Sequence, residues 1–211
     1  MSTSSRPIVI GLTGNIGVGK SAALKILQQL GARVIDADKI AHEVMSPGGS
    51  AYDAVVNAFG KDVLAKDGSI DRSKLADIVF TDHDQLRRLE RIVHPAVEQR
   101  ISDIIEEATE PVVAIEAIKL LESRLRHLCD TIWVVTASRE HQMNRLVYQK
   151  GLTQEEALRR MAAQSPQAHK VREADVILHN DGDLEQLQAQ VEAAWQSLMA
   201  QREESEHNEG S

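Results

Sequence analysis

Residues Gly14 to Ser21 read Gly-Asn-Ile-Gly-Val-Gly-Lys-Ser, directly after the apolar run Ile8 to Leu12 and ahead of an amphipathic segment. A G-x-x-x-x-G-K-[ST] pattern between a strand and a helix commits this part of the chain to a strand–loop–helix unit. The glycines let the backbone curl so that several N–H groups face one anion, and the helix that follows adds the positive end of its dipole. Gly14, Asn15, Ile16, Gly17, Val18 and Gly19 are therefore the candidate nucleotide-binding backbone. Lys20 is the side chain expected to reach the β- and γ-phosphates, and Ser21 the expected Mg²⁺ ligand. The chain is expected to bind a nucleoside triphosphate.

Short β-branched runs at Ile8–Leu12, Arg33–Asp36, Val112–Glu116, Thr131–Thr136 and Asp175–Leu178 are nearly continuous in apolarity, as in strands buried on both faces. Helical segments separate them. The expected fold is thus α/β, a P-loop NTPase three-layer core with a parallel five-stranded sheet and right-handed crossovers. Its first helix, Gly19 to Leu30, sets Ala23, Leu24, Leu27 and Leu30 on one stripe and stops at Gly31. The core takes residues 1–38, 111–137 and 166–200, ending in an amphipathic helix capped by Asp183-Leu-Glu-Gln186.

Residues 39–110 are too many for a simple crossover and read as an inserted helical lobe. Within it Asp82 or Asp84 caps the helix through Leu86–Val93, and His94-Pro95 interrupts and restarts the helical pattern. Residues 138–165 read as a lid: Arg145, Lys150, Arg159 and Arg160 gather around Gly151, and Thr153-Gln-Glu-Glu156 opens the second helix with a capping box. The polar, acidic tail, residues 201–211, is expected to be disordered.

A net charge of −8 shows no excess of basic residues of the kind that duplex-binding surfaces need, so no nucleic-acid partner is expected. No apolar run approaches the ~20 residues of a membrane helix, and the first residues carry no apolar targeting stretch. No membrane partner and a cytoplasmic location follow as expectations. Cys129, the sole cysteine, excludes an internal disulfide; lying between Leu128 and a strand, it reads as a buried structural thiol.

Regulatory GTPases, motors and small-molecule kinases share such a loop, so the loop by itself does not name a reaction. A guanine-reading Asn-Lys-x-Asp element is absent, which argues against a GTPase. Asp36-Ala37-Asp38 ends the second strand, and ligands of parallel sheets gather at the carboxyl ends of strands. Asp38 is there the candidate general base for an acceptor hydroxyl. Asp36 is its metal-side partner, through water, or a structural one, and for either aspartate the alternative is to cap the helix that starts at Lys39. A basic lid neutralises transferring charge and excludes water, and a helical lobe suits an acceptor, which together favour a kinase.

Gly11-Leu-Thr-Gly-Asn-Ile-Gly-Val-Gly-Lys-Ser21, Val34-Ile-Asp-Ala-Asp38, the stretch Leu89 to His94-Pro95, and Ala174-Asp-Val-Ile177 ahead of Asn180 resemble the dephospho-coenzyme A kinase family over about Ile8 to Trp195. The resemblance implies a nucleoside-monophosphate-kinase-like core, a helical CoA-binding lobe, a mobile lid, and ATP-dependent phosphorylation of the ribose 3′-hydroxyl of dephospho-CoA. It also implies Asp38 as base, lid contacts at Arg145 and Arg160 with Gln164 nearby, His94 on the acceptor side, and Asn180 near the adenine. Another small-molecule kinase on the same core, or a nucleotide-binding module without turnover, are the competing readings.

Two stretches depart from the family pattern. Where the family commonly has Asp-x-Pro-Leu-Leu-Phe-Glu, this chain has Glu116-Ala-Ile-Lys-Leu-Leu-Glu122, making Glu116 and Lys119 candidate substrate-binding residues. Four residues after the position matched by Arg145, the family's usual arginine is replaced by Gln149. Lys119 or the adjacent Lys150 is expected to supply the missing charge.

Overall fold

The computed structural model describes residues 6–209. In chain order the regular elements are β1 (Ile8–Thr13), α1 (Lys20–Gln29), β2 (Arg33–Asp36), α2 (Ala37–Val44), α3 (Tyr52–Phe59), α4 (Arg72–Thr81), α5 (His83–Glu106), β3 (Val112–Glu116), β4 (Thr131–Thr136), α6 (Arg139–Asn144), α7 (Gln154–Ala162), α8 (Gln167–Arg172), β5 (Val176–His179) and α9 (Leu184–Glu209). All five predicted strands are present. Only β1, one residue longer, and β5, one residue later, differ from the sequence reading.

The strands form one sheet in the order β2-β3-β1-β4-β5. Around the central β1 the pairing is parallel, with Ile10 opposite Ala114 of β3 and Thr131 of β4, and β4 pairs in parallel with β5. Successive side chains alternate across the pleat, so burial on both faces demands the continuous apolarity of these strands. On one face Ile10, Leu12, Ala114, Trp133, Val135 and Leu178 pack with Ala23, Ile26 and Leu27 of α1 and with Leu187 and Val191 of α9. The alternate residues Val9, Val113, Ile115, Ile132 and Val134 are equally inaccessible. On that side Gly11 leaves room for Leu120 and Cys129: a Cβ there would lie 2.6 Å from Leu120 Cδ2 and 2.7 Å from Cys129 Sγ. Cys129 is buried, donates to Leu125 O at 3.2 Å, and burial pushes its thiol up to about 12.

The chain divides into two compact units, one of the described residues up to Val34 and from Ala108 onward, the other Ile35–Glu107. The second unit is wider than residues 39–110 at its start and shorter at its end, because α2 packs along α5 and belongs with it. Aspartates open α4 and α5 of this unit. Asp71 accepts from the N–H groups of Ser73 and Lys74, and Asp82 from those of Asp84 and Gln85, as capping chemistry requires.

Two sequence expectations are corrected. His94-Pro95 does not interrupt the helix: α5 runs unbroken from His83 to Glu106 with Pro95 inside it. The proline removes the hydrogen bond to the Arg91 carbonyl, but the buried stripe Val93, Val97, Ile101, Ile104 and Ile105 spans it and keeps both halves on one axis. The tail is not disordered through residues 201–209, since α9 continues to Glu209. Gln, Arg and Glu are good helix formers, and extending an existing helix needs no new nucleus. Gly210 and Ser211 lie outside the described residues.

Gly11→Ala is expected to destabilise the protein by about 1–3 kcal/mol, the usual scale of overpacking, because its methyl group has no free space beside Leu120 and Cys129. Urea unfolding checks this; a midpoint equal to the parent's would refute it.

Candidate functional site

β1 feeds the loop, and Gly19 turns it into α1. Its φ of +100° belongs to the left-handed region, and an added Cβ would run into Asn180 Nδ2. α1 then begins at Lys20 with no side-chain cap and no acidic residue in its first turn. A helix start that lacks both a side-chain cap and an acidic residue is the arrangement that an external anion completes. Ser21 is exposed in that first turn.

Lys20 lies over the loop, buried. The β1–β3 register sets Glu116 opposite Leu12, and Glu116 Oε1 is 3.6 Å from Lys20 Nζ, which also donates to Asn15 O at 3.4 Å. With the two side chains only 9% and 15% exposed, each charge needs the other. Glu116 therefore sits at the phosphate end of the sheet, as a partner of Lys20.

A loop whose N–H groups turn inward must turn carbonyls outward, and these need donors. Arg145 Nη1 donates to Gly17 O at 3.3 Å and to Val18 O at 3.1 Å, while its Nη2 donates to Asn180 O at 2.6 Å. Asn180 Nδ2 donates to Val18 O at 2.7 Å. Arg145 and Asn180, expected at the nucleotide, are in this structure joined to each other and to the back of the loop. On the loop's first turn, Ile16 N donates to Gln164 Oε1 at 2.7 Å and Asn15 Nδ2 to Ser165 O at 3.1 Å.

Sequence reasoning missed a buried cation. Lys170, 2% exposed, donates to Ile118 O at 2.9 Å and pairs with Glu122 at 3.6 Å, while Thr13 Oγ1 donates to the same Ile118 carbonyl at 3.2 Å. Nothing in the segment Gln167–Arg172, with three basic residues, distinguishes the one that is buried. A π turn was missed as well. Residues Arg145–Gln149 are π-helical, with Lys150 N bonded to Arg145 O at 3.1 Å, five residues back. Such turns recur at functional sites.

The remaining candidates are placed as follows. Asp36 takes the capping role: its Oδ1 accepts from Asp38 N at 3.1 Å and from Lys39 N at 3.2 Å. Asp38 is exposed in the first turn of α2, and His94 is exposed on α5, both within the helical unit. Lys119 and Arg160 are exposed in the other unit, after β3 and in the last turn of α7. The capping box Thr153–Glu156 forms as expected. Asp181 accepts from Ser138 N at 2.6 Å at the start of α6 and lies 3.2 Å from His141 Nδ1. That Ser138 N–H holds the Asp181 carboxyl below its ordinary range. Among the described residues no helix is long and apolar enough to cross a membrane.

The model of the dephospho-CoA kinase family matches residues 8–186. The dephospho-CoA kinase of Streptomyces avermitilis is 46% identical over 191 residues, covering 90% of this chain and 93% of its own. A solved structure from Thermus thermophilus superposes with a TM-score of 0.80 at 32% identity, covering 93% of this chain and 98% of that one. The dephospho-CoA kinase from Campylobacter jejuni superposes with a TM-score of 0.67 at 25% identity, over 90% of this chain and 96% of its own.

Asp181→Asn is expected to lower the thermal midpoint at neutral pH. A depressed carboxyl stabilises the fold above its ordinary value of 3.8 and loses that effect as pH falls through the depressed value. The deficit against the parent should therefore shrink on acidification through 3.8, and a deficit constant across that range would count against the Ser138 contact.

Proposed function

The chain belongs to the dephospho-CoA kinase family, and from that premise we propose that it transfers the γ-phosphoryl group of ATP to the ribose 3′-hydroxyl of dephospho-CoA, giving coenzyme A. The observation that carries the donor half is the uncapped start of α1 behind Gly19 with Lys20 buried beside it. Triphosphate oxygens complete the helix terminus, and Lys20 Nζ, held by the Asn15 carbonyl, exchanges Glu116 for the β- and γ-phosphates.

The residues present suit Mg²⁺ that arrives with the nucleotide. Among the described residues no cluster of three His, Cys, Asp or Glu forms a dedicated metal cage, whereas Mg²⁺ bound with phosphates needs few protein ligands. Ser21, exposed at the head of α1, is the residue that would hold it. When bound, the ion neutralises charge on the β- and γ-phosphates.

The helical unit receives the acceptor. It contains a cleft of about 460 Å³, lined by Met45, Ile70, Leu75, Val79 and Phe80 with His42 and Arg72. Apolar walls with a few polar groups suit a ligand that is part thioalkyl amide and part nucleotide. His94 stands on the acceptor side. Asp38, directly after β2, takes the proton of the 3′-hydroxyl as its oxygen bonds to the γ-phosphorus; the bond from that phosphorus to the β-bridging oxygen breaks, and ADP leaves. Residues 138–165 close as a lid that brings Arg160 to the transferring group, with Arg145 and Asn180 beside the adenine-bearing end.

Lys150 supplies the charge absent at Gln149. In an α-helix the residue four after Arg145 shares its face, but the π turn bonds Lys150 N to Arg145 O and so shifts that alignment toward the fifth residue. Lys119, which follows β3, is the alternative source.

A coupled assay with MgATP and an acceptor panel tests the reaction: turnover with dephospho-CoA is expected, and turnover confined to another acceptor would overturn the assignment. Asp38→Asn should lower kcat by about 10²–10⁴ while ATP still binds, and full turnover would remove Asp38 from the base role. Lys150→Ala should slow phosphoryl transfer at least about tenfold. If neither it nor Lys119→Ala does so, no lysine compensates for Gln149.

A further inference from the structure

The end of the basic hairpin is tied to the beginning of the phosphate loop. Gln164 follows Ala163, the C-cap residue of α7, and its Oε1 accepts the Ile16 N–H at 2.7 Å. One residue later, Ser165 O accepts Asn15 Nδ2 at 3.1 Å, and Ser165 Oγ donates to Glu122 Oε1 at 3.4 Å. Both loop contacts join residues about 150 positions apart in sequence, inside one compact unit.

The direction of the Ile16 peptide matters to its neighbours. Its N–H is committed outward to Gln164, which fixes the plane of the Asn15–Ile16 peptide; the carbonyl of that plane, Asn15 O, is the one that Lys20 Nζ reaches at 3.4 Å. Gln164 thus acts on the resting position of Lys20 through a single rigid peptide. It also stands four residues after Arg160, with Gln164 N still bonded back to Met161 O at 3.4 Å, so anchoring Gln164 fixes the side of α7 from which Arg160 emerges.

We propose that Gln164 is a positioning residue of the phosphoryl-transfer site, whose side-chain carbonyl sets the Asn15–Ile16 peptide for Lys20 and pins the base of the hairpin that carries Arg160. The proposal rests on the reading of Gly14–Ser21 as the ATP site. A residue of this kind affects the nucleotide more than the acceptor. A contact that only supported the fold would lower stability and leave the two substrates' constants in proportion.

The test compares Gln164→Ala, and Gln164→Met, which keeps side-chain length but not the acceptor oxygen, with the parent chain. ATP affinity is read by calorimetry without acceptor, KM for ATP and for dephospho-CoA by steady-state kinetics, and stability by thermal unfolding. Both variants should bind ATP about tenfold more weakly and raise KM for ATP to match, the scale of leaving one loop N–H unpaired, while KM for dephospho-CoA stays put. Arg160→Ala combined with Gln164→Ala should lose less than the sum of the two single losses, since both act through one element. Parental ATP constants in Gln164→Met, equal shifts in both KM values, or additive losses with Arg160→Ala would each overturn the proposal. A parent chain that binds ATP but leaves dephospho-CoA unphosphorylated would refute the acceptor assignment, and the calorimetric comparison would still decide the role of Gln164.

Discussion

The Val18 carbonyl accepts two hydrogen bonds, 2.7 Å from Asn180 Nδ2 and 3.1 Å from Arg145 Nη1, and the phosphate loop keeps its shape around them. A loop that offers N–H groups to an anion turns its carbonyls the other way, and buried carbonyls without donors are costly. A guanidinium presents five donors in one plane, enough to serve Gly17, Val18 and Asn180 together. The tip of β5 and the start of the π turn therefore belong to the loop as much as its glycines do. Placing a positive charge behind the loop also favours the anion in front of it.

What was legible in the sequence was local. The phosphate loop, the five strands, the stop at Gly31 and the capping box at Thr153 are each written in a few adjacent residues, because turn chemistry, capping and continuous apolarity act over short range. The Pro95 rule failed for the opposite reason. A missing hydrogen bond costs a fixed amount, whereas the buried stripe through Val93, Val97 and Ile101 gains with every turn, and the tertiary contribution wins. The phosphate-loop partners of Arg145 and Gln164 lie more than a hundred positions away, so composition marked a basic hairpin without showing what its ends would grip. For Asp36 the sequence offered two roles; the structure realises the capping one.

The segment after β3 shows how an altered motif is held in place. It is fixed at both ends by lysines from elsewhere, Glu116 by Lys20 and Glu122 by Lys170, and in its middle the Ile118 carbonyl accepts from Thr13 Oγ1 and Lys170 Nζ. Where the related motif has proline, this chain has Ile118. The anchor uses only the backbone carbonyl at that position, which proline and isoleucine provide equally. Exchanging one for the other gives up stiffness in φ but no hydrogen bond. The buried Lys170 ammonium, 2% exposed, can be retained because two acceptors from this one segment meet it, and it in turn holds the segment against the start of the loop. Sequence freedom at residues 117–119 is thus compatible with a fixed Glu116, and the position of Glu116 determines where Lys20 waits.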